Sequence, residues 1–361
     1  MASPKFVPAG GRVGILGGGQ LGRMLALAAA ELGFDAHIFT PEDDSPASRV
    51  AARTVVAPYE NSAAVADFAK RVDVLTYEFE NIPVSAIEAA RSVGCLVAPG
   101  PQVLAITQDR APEKQMLNQA GAKTVTFALI DSTADVSAAI AKVGLPAILK
   151  TRRFGYDGKG QAKVSSEAEL RACVEKFNAP CILEALASFT KEFSIIAART
   201  AAGAFAAYDA AENEHGDHIL RRTVVPASAP AASLALATDA TRNVLDKLDY
   251  VGVAAIEFFL MPDGSVLANE MAPRVHNSGH WTQDACITGQ FEQHIRAICG
   301  WPLGATQRFA DAEMFNLIGD EIGQWPNWAD QAGVRVHLYG KREARPGRKM
   351  GHVTKLSPLR G

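Results

Sequence analysis

Apolar and polar positions along the first hundred residues alternate in short blocks that predict strands and helices in turn. Extended apolar runs give way to segments whose apolar positions recur every three or four residues. Strands are expected at Arg12–Leu16, Ala36–Phe39, Val74–Tyr77 and Cys95–Ala98, and helices at Gln20–Leu32 and Ala86–Val93. This alternation predicts a parallel sheet with crossover helices. The run Pro99-Gly100-Pro101 then marks a boundary.

The pattern of the next block predicts a small α+β unit. Helices are expected at Arg110–Ala120 and Glu167–Phe177, strands at Pro146–Lys150, Gln161–Val164 and Cys181–Glu184, and a glycine-rich loop at Arg152–Gly160. From about Ala185 the pattern is mainly extended, with two longer helices near Ser233–Leu248 and Gln283–Ile298. We therefore expect three units, at residues 1–107, 108–186 and 187–361.

Two acidic residues lie on neighbouring apolar runs of the third unit. Glu257 closes Val251–Glu257, and Glu270 lies in Val266–Met271, after the turn signal Asp263-Gly264. These runs predict a hairpin, and carboxylates on adjacent strands can point into one cleft. A buried carboxylate pair needs a counter-charge, which Mg²⁺ bound to nucleotide phosphates supplies. Two exposed strand-end acids would give the same spacing, so both interpretations stay open.

The glycine-rich loop combines backbone freedom with positive charge. Its three glycines allow the main chain to approach phosphates closely. Arg152, Arg153 and Lys159 are basic, and Lys150 ends the preceding strand. The loop therefore predicts a cover over phosphates, and an exposed hairpin without function is the alternative.

A second glycine-rich turn, Gly17–Gly22, follows the first predicted strand and fits the pattern G-x-G-x-x-G. Such a turn places backbone N–H groups at a helix N-terminus, where anions bind. A dinucleotide site also needs an acid at the end of the second strand, where this chain has Thr40-Pro41. Phosphate binding is therefore favoured over NAD binding, and a purely structural turn is the third interpretation.

Three further polar segments give weaker signals. His276 and His280 lie four residues apart, but the Asn-Ser-Gly sequence between them disfavours a helix and hence zinc. The main chain of Glu184–Glu192 suits an adenine edge, although an ordinary linker would have the same pattern. The segment Arg345–His352 is basic, which is typical of a solvated turn.

Composition excludes several classes of protein. The chain has 361 residues, 48% hydrophobic and 21% charged, which fits a globular protein of two or three domains. A formal net charge of -3 argues against non-specific nucleic-acid binding. The five cysteines form no C-x-x-C pair, which disfavours zinc and redox motifs and favours a cytoplasmic protein. No apolar run reaches membrane length, and residues 1–11 have no apolar signal core.

Together these motifs resemble the ATP-grasp superfamily and, within it, the ligases that carboxylate an aminoimidazole ribonucleotide in purine biosynthesis. The resemblance extends from Arg12 onward. It rests on Gly17–Met24 (GGGQLGRM), Phe154–Gln161 (FGYDGKGQ), Asn269–Thr282 (NEMAPRVHNSGHWT) and Arg345–His352 (RPGRKMGH). It implies α/β and α+β structure: an ATP-grasp fold with an N-terminal Rossmann-like (pre-ATP-grasp) parallel-sheet domain, a small central lid domain and a β-rich C-terminal domain.

The resemblance also implies an ATP site with magnesium. Glu257 and Glu270 would hold Mg²⁺, with Mn²⁺ as an alternative ion. The residues implied at the nucleotide are Arg110, Lys114, Lys150, Gly155, Tyr156, Asp157, Gly158, Lys159, Gly160, Gln161, Glu184, Ala185, Leu186, Ala187, Glu192, His215, Asn269 and Glu270. Within this set Glu184–Ala187 would receive adenine, and Glu192 the ribose.

For the second substrate, the resemblance implies a ribonucleotide site. Residues implied there are Gly19, Gln20, Leu21, Glu78, Tyr156, Asp157, Lys159, Arg274, His276, Asn277, Ser278, Arg345, Arg348 and Lys349. Asp157, Arg274 and His276 would be the catalytic residues, with Asp157 orienting the attacking amine. The segment Arg345–His352, called the basic tail below, would bind the 5′-phosphate, because arginine makes bidentate contacts with phosphate and lysine supplies a compact charge.

The implied reaction joins ATP, bicarbonate and 5-aminoimidazole ribonucleotide through carboxyphosphate and releases ADP and phosphate. The expected partners are these small molecules, with no nucleic acid and no membrane, for a cytoplasmic homodimer. Two alternatives stay open: a formate-dependent glycinamide ribonucleotide transformylase, and a Rossmann oxidoreductase that binds NAD at Gly17–Gly22. A non-catalytic nucleotide sensor is a third, but it would not need both carboxylates and the basic tail.

Overall fold

The first hundred residues form a parallel sheet with helices packed against it. The structure, a computed structural model, describes residues 6–155 and 158–360. The elements of this part are β1 Arg12–Leu16, α1 Gln20–Glu31, β2 Asp35–Thr40, β3 Arg53–Val56, α2 Ser62–Ala69, β4 Val74–Tyr77, α3 Val84–Ser92 and β5 Leu96–Val97. The described strands pair in the order β3-β2-β1-β4-β5, each pair parallel. This order confirms the predicted parallel sheet.

Two elements in this part of the chain, the strand β3 and the helix α2, were not predicted. β3 lies at the sheet edge and none of its residues is fully buried, so its apolar pattern is weak. α2 has eight residues and is rich in alanine, which gives little periodic contrast.

The middle of the chain forms an antiparallel sheet with its own hydrophobic core. The elements are α4 Pro101–Thr107, α5 Arg110–Gln119, β6 Phe127–Ile130, α6 Val136–Val143, β7 Ala147–Thr151, β8 Gln161–Val164, α7 Glu167–Phe177 and β9 Cys181–Ala185. The described strands pair in the order β6-β9-β7-β8. The elements α4, β6 and α6 were not predicted. The core of this four-stranded sheet is formed by side chains between residues 128 and 183, among them Leu149, Leu170 and Leu183.

The remainder forms a larger antiparallel sheet. Its elements are β10 Lys191–Arg199, β11 Phe205–Ala207, β12 Ala211–Gly216, β13 Ile219–Val225, α8 Ala231–Lys247, β14 Gly252–Leu260, β15 Val266–Ala272, α9 Thr282–Ala285, α10 Gln290–Ile298, β16 Asp311–Ile318, α11 Trp325–Ala329, β17 Val334–Leu338 and β18 Lys349–Ser357. Within the described residues the strand order is β15-β14-β10-β12-β13-β16-β18-β17, and β11 pairs with β10. β14 and β15 are adjacent and antiparallel, which confirms the predicted hairpin.

The single helix predicted near Gln283–Ile298 is wrong, because two helices, α9 and α10, occupy this segment. Cys286 has an extended backbone and forms a β-bridge with Arg308, which ends α9. Gly289, also extended, then begins α10 as its N-cap residue. None of the described helices is both long and apolar enough to cross a membrane.

A shared hydrophobic core joins the first sheet to the third. α1 packs on α10, and Leu25 lies in one buried cluster with Phe291 and Ile295. Trp281 and Tyr339 belong to the same cluster. Because burial of apolar surface stabilises by roughly 25 cal/mol per Å², this core fixes the two sheets relative to each other and sets the positions of the loops between them.

Candidate active site

A cavity of about 760 Å³ lies where the three sheets meet, and its volume is typical of enzyme ligand sites. Most predicted site residues line it: Gly19, Gln20, Leu21, Glu78, Arg110, Lys150, Gly155, Gly158, Lys159, Gly160, Gln161, Glu184, Ala185, Leu186, Ala187, Glu192, His215, Glu257, Asn269, Glu270, Arg274, His276, Asn277 and Lys349. Among the described residues, Lys114, Ser278, Arg345 and Arg348 do not line it. Tyr156 and Asp157, also predicted, lie outside the described residues.

Glu257 and Glu270 reach this cavity from adjacent strands. The register of β14 against β15 shifts between Ile256 and Phe258, so that Asn269 and Glu270 together lie opposite Glu257. An irregularity of this kind re-aims side chains and is frequent next to active sites. It places both carboxylates on one cavity wall.

The two carboxylates have different charge environments. Burial raises the pKa of Glu257 to about 8, and the negative charge of Glu270 adds to this shift. The Glu270 side chain is 42% exposed where it faces the open cavity, and Arg110 Nη1 lies 2.9 Å from its Oε2 atom. Desolvation disfavours ionisation of Glu270, but the Arg110 charge outweighs it and lowers the pKa to about 2. The pair thus carries negative charge, and carboxylate oxygens are the ligands that Mg²⁺ prefers.

Glu184 is held between two lysines. Its carboxylate oxygens lie 3.2 Å from Lys114 Nζ and 2.8 Å from Lys150 Nζ. Burial opposes ionisation of Glu184, but the two ammonium groups outweigh it, and its pKa is lowered. Lys114 is buried behind the wall and also donates to the backbone oxygen of Asn269 at 3.1 Å. Lys114 therefore supports cavity residues, whereas Lys150 lines the cavity itself.

Part of the cavity wall is apolar. Val125, Ile148 and the stacked rings of Phe189 and Phe259, with centroids 4.4 Å apart, line it. The extended segment at residues 185–187 lines it as well. Apolar side chains together with the backbone of this segment suit a flat aromatic base, which is buried on its faces and hydrogen-bonded at its edge.

An acid and a histidine on paired strands form a second polar group in the wall. His215 Nδ1, on β12, lies 3.0 Å from Glu192 Oε2, on β10. Burial disfavours the charged imidazole, but the contact with Glu192 outweighs it and raises the pKa of His215. The pair presents a hydrogen-bond acceptor and a donor to the same cavity.

The glycine-rich loop is anchored at its base by an acidic residue. Arg152 Nη2 lies 2.7 Å from Asp109 Oδ2, and Arg153 Nε lies 3.4 Å from the same oxygen. Because Asp109 is the N-cap residue of α5, these arginines tie the loop to that helix. A Cβ atom at Gly158 would lie 2.7 Å from the His218 ring, so glycine is required where the loop meets the turn between β12 and β13.

The turn Gly17–Gly22 surrounds a protein carboxylate. Glu78 accepts hydrogen bonds from the backbone N–H groups of Gly19 and Gly22, the second at 2.6 Å. The N-cap residue of α1 supplies no side-chain cap, so Glu78 fills this role. Gly17 has a φ of +126°, and a Cβ atom there would clash with the Glu78 side chain. The donors predicted to bind phosphate are thus already occupied by Glu78.

Arg274 and His276, which follow β15, are oriented by neighbouring side chains. Arg274 Nε donates to Glu80 Oε2 at 2.5 Å. His276 Nε2 lies 3.6 Å from Glu257 Oε1, and its Nδ1 atom lies 2.8 Å from Ser278 Oγ. Burial and the Arg274 charge lower the pKa of His276 to about 3, so its imidazole is neutral. Ser278 is buried behind His276 and holds its ring rather than facing the cavity.

The side-chain amide of Asn277 lines the cavity. Both Oδ1 and Nδ2 are buried, and neither has a hydrogen bond within residues 6–155 and 158–360. Buried polar atoms in folded proteins are almost always hydrogen-bonded. The amide therefore marks a position where a polar ligand group fits.

The basic tail divides into cavity-facing and solvent-facing residues. Lys349 lines the cavity, whereas Arg345 is exposed and pairs with Glu343. Arg348 Nη1 donates to the backbone oxygen of Glu343 at 3.1 Å. Lys341, not among the predicted site residues, donates to the backbone oxygen of Lys349 at 2.7 Å. Burial and the Arg348 charge lower the pKa of Lys341 to about 8.

Glu80 was also missing from the predicted site. It lies two residues after Glu78 in the loop that follows β4, and this pair of acids after a buried strand is a signal that could have identified it. The apolar wall residues carry no such signal, because valine, isoleucine and phenylalanine at strand positions equally predict a core.

A further group of possible metal ligands, Asp284, His337 and His352, lies apart from the cavity wall. His337 Nε2 lies 2.9 Å from Asp284 Oδ2, and the rings of His337 and His352 stack with planes 14° apart. Nitrogen lone pairs lie in the ring plane, so those of stacked rings run side by side rather than converging on one ion. We assign no metal to this group.

Sequence comparison matches three parts of the chain to known domain families. They are the ribonucleotide synthetase preATP-grasp domain at residues 11–108, the ATP-grasp domain at 115–291 and the phosphoribosylaminoimidazole carboxylase C-terminal domain at 312–359. N5-carboxyaminoimidazole ribonucleotide synthase from Brucella melitensis is 49% identical over 97% of both chains. The synthase of the same name from Bacillus subtilis is 40% identical over 98% of this chain and 93% of its own.

Solved structures are similar over the same length. The ADP complex of an N5-carboxyaminoimidazole ribonucleotide synthetase has a TM-score of 0.94 at 41% identity, and covers 98% of this chain and 94% of that one. N5-carboxyaminoimidazole synthase from Aspergillus clavatus, in complex with ADP and 5-aminoimidazole ribonucleotide, has a TM-score of 0.90 at 29% identity, with 96% and 94% covered.

Proposed function

Since this chain belongs to the family of N5-carboxyaminoimidazole ribonucleotide synthases, we propose that it carboxylates 5-aminoimidazole ribonucleotide with bicarbonate and ATP, releasing ADP and phosphate. One observation carries the proposal. A single cavity joins the carboxylate pair, Glu257 and Glu270, to the polar run that contains Arg274 and His276 and to Lys349. Phosphoryl transfer and capture of the carboxyphosphate that it forms can therefore take place in one cavity.

ATP would bind along the wall between the four-stranded sheet and the third sheet. The apolar side chains, among them Ile148 and Phe259, would cover the base, and the backbone at residues 185–187 would meet its edge. Glu192, which pairs with His215, would accept hydrogen bonds from the ribose hydroxyls. Lys150 and the loop glycines would meet the phosphates, because an ammonium group and close backbone approach both favour anions.

Mg²⁺ fits the wall formed by Glu257, Glu270 and Asn269. The pair carries a negative charge that Arg110 compensates in part, and its oxygens are hard ligands. Bound there, the ion would neutralise the phosphate oxygens during transfer. Mn²⁺ would suit the same oxygen ligands.

At the transfer centre, the residues of this chain would bind and orient rather than react covalently. ATP would phosphorylate bicarbonate, giving carboxyphosphate and ADP. The exocyclic amine of the ribonucleotide would then attack either carboxyphosphate itself or the carbon dioxide that carboxyphosphate releases, and phosphate would leave. Arg274, whose pKa is raised by Glu80 despite burial, keeps a fixed positive charge there. Neutral His276 and the unpaired amide of Asn277 can hydrogen-bond the reactants without adding charge. Asp157 would orient the attacking amine, and closure of the loop would exclude water.

The ribonucleotide would bind between the first sheet and the basic tail. Lys349, which lines the cavity, and Lys341 would meet its 5′-phosphate, whereas Arg345 lies at the surface beside Glu343. Glu78 is fixed by two backbone N–H groups at the start of α1, so its carboxylate is suited to accept ribose hydroxyls rather than to leave room for a phosphate. Residues 19–21, which line the cavity beside Glu78, would complete this end.

We also propose the division into units at residues 1–107, 108–186 and 187–361, with the middle unit acting as the lid over ATP. Support for this division comes from the separate hydrophobic core between residues 128 and 183. The scattered cysteines support a cytoplasmic location, and the family resemblance supports a homodimer.

The deciding experiment measures ADP release by the purified protein with ATP and Mg²⁺. We expect release to require both bicarbonate and 5-aminoimidazole ribonucleotide, and labelled bicarbonate carbon to appear in the ribonucleotide. Formate with glycinamide ribonucleotide serves as the comparison pair. If that pair supported ADP release and the first did not, the chain would be a transformylase. No ribonucleotide-dependent release with either pair would refute the proposal.

A further inference from the structure

Side chains on one face of α5 contact three consecutive residues of β15. Arg110, Glu113 and Lys114 are spaced i, i+3 and i+4, so their side chains leave the helix on the same side. Arg110 Nη1 contacts the Glu270 carboxylate at 2.9 Å. The Glu113 carboxylate accepts the backbone N–H of Met271 at 2.7 Å. Lys114 Nζ donates to the backbone oxygen of the residue before Glu270, at 3.1 Å.

These contacts fall at the irregular part of the strand pair. β14 and β15 change register opposite Glu257, and Met271 follows directly after this bulge, in register with Ile256. Within the described sheet β15 is the edge strand, so its N–H groups that point away from β14 have no ladder partner. A buried N–H group without an acceptor is strongly unfavourable. Glu113, of which 3% is exposed, supplies the acceptor for the Met271 N–H and so holds the strand edge directly after Glu270.

We propose that Glu113 is a positioning residue that fixes the backbone of β15 so that Glu270 points at the cation. Glu113 does not line the cavity; it acts through the peptide group that joins Glu270 to Met271. The inference rests on the proposed metal role of Glu270. It differs from a role in stability alone, because only a positioning role links Glu113 to the dependence of the reaction on Mg²⁺.

The substitutions Glu113→Gln and Glu113→Leu separate these roles. Glutamine keeps a carbonyl oxygen that can accept the Met271 N–H, whereas leucine has a similar size but no acceptor. Outer-shell partners of metal ligands typically change metal affinity or activity by about 10–100-fold. We therefore expect Glu113→Leu to raise the KM for Mg²⁺ by about tenfold or more, with little change in the KM for ribonucleotide. Binding of Mn²⁺ in the presence of ADP, followed by electron paramagnetic resonance without turnover, should weaken by the same factor. Glu113→Gln should keep both values close to those of the wild type.

Leu117→Ala is the matched control for stability. Leu117 lies on the same helix, is fully buried and belongs to its hydrophobic core, so its truncation lowers Tm without altering a polar contact. We expect its KM for Mg²⁺ to stay at the wild-type value. An unchanged Mg²⁺ dependence in folded Glu113→Leu, or an equal change in Leu117→Ala, would overturn the positioning role.

The assay also separates this inference from the proposed function. Wild-type protein that releases no ADP under any substrate pair refutes the function before any variant is compared. Active wild-type protein with an unaltered Glu113→Leu variant refutes the inference alone. If Glu113→Leu fails to fold, Glu113→Gln and Glu113→Asp decide, because the shorter carboxylate of aspartate should raise the KM for Mg²⁺ whereas glutamine should not.

Discussion

Arg110 Nη1 lies 2.9 Å from Glu270 Oε2, so a guanidinium group contacts one of the two carboxylates that we assign to the metal. This contact lowers the pKa of Glu270 against the effect of desolvation, whereas burial raises the pKa of Glu257. One ligand is therefore ionised before a cation arrives. A divalent ion would compete with Arg110 for Glu270, and the released guanidinium could then meet a phosphate oxygen.

Glu270→Gln should lower kcat roughly 100-fold while the fold is retained, because the amide supplies neither the charge nor the second anionic oxygen of a metal ligand. Turnover is measured as ADP release at several Mg²⁺ concentrations, with circular dichroism to verify folding. Glu214→Gln, at an exposed position on β12, should behave like wild type. Near-normal turnover by folded Glu270→Gln would remove the metal assignment.

Lys349→Ala and Arg345→Ala should differ, because Lys349 lines the cavity and Arg345 points to solvent beside Glu343. Loss of a charge-assisted contact weakens binding by roughly 1.5–3 kcal/mol, so the KM for ribonucleotide should rise about ten- to hundredfold in Lys349→Ala. The KM for ATP should change little. Titrations of each substrate, with the others saturating, check this. An equal rise in the KM for ATP and the KM for ribonucleotide in Lys349→Ala would indicate that the basic tail is a solvated turn.

Affinity for the ribonucleotide should fall as pH rises through about 8, the pKa to which burial and Arg348 lower Lys341. Lys341 is charged below that pH and neutral above it, while the phosphate, with a second pKa of about 6, stays doubly ionised. The KM for ribonucleotide should therefore rise between about pH 7 and 9. Lys341→Arg should flatten the profile, since arginine stays protonated. The same rise in both proteins would exclude Lys341 as its source.

Glu78→Ala should destabilise the protein by about 1–3 kcal/mol, because the N–H groups of Gly19 and Gly22 lose their buried acceptor. Unfolding in urea measures the change. Glu60→Ala, at an exposed position of the same part of the chain, should alter stability by less than about 0.5 kcal/mol. Wild-type stability in Glu78→Ala would show that water replaces the carboxylate without penalty.

The sequence predicted those parts of the fold in which local pattern and tertiary structure agree. β1 and β4 have the predicted bounds, and the hairpin that carries Glu257 and Glu270 is present. Each is an apolar run between strong turn signals. The fold class is likewise confirmed by the structure and by the related proteins.

Partners distant in the chain could not be predicted in this way. Arg152 was predicted to face phosphates, but its nearest acid is Asp109, 43 residues away and visible only after folding. Glu78 was expected beside the substrate, and local pattern gave no sign that it also caps α1. Lys341 is an isolated lysine in the sequence, and its altered pKa arises from burial that no local pattern encodes.

The first and third sheets share a hydrophobic core, whereas the four-stranded sheet has a core of its own. Unfolding of the first or the third sheet would expose the apolar face of the other, so we expect these two sheets to unfold in one cooperative transition. The four-stranded sheet can open without exposing that shared core. Its amide hydrogens should therefore exchange with solvent before those of β10 and β14. Nucleotide binding should slow hydrogen exchange most in the four-stranded sheet.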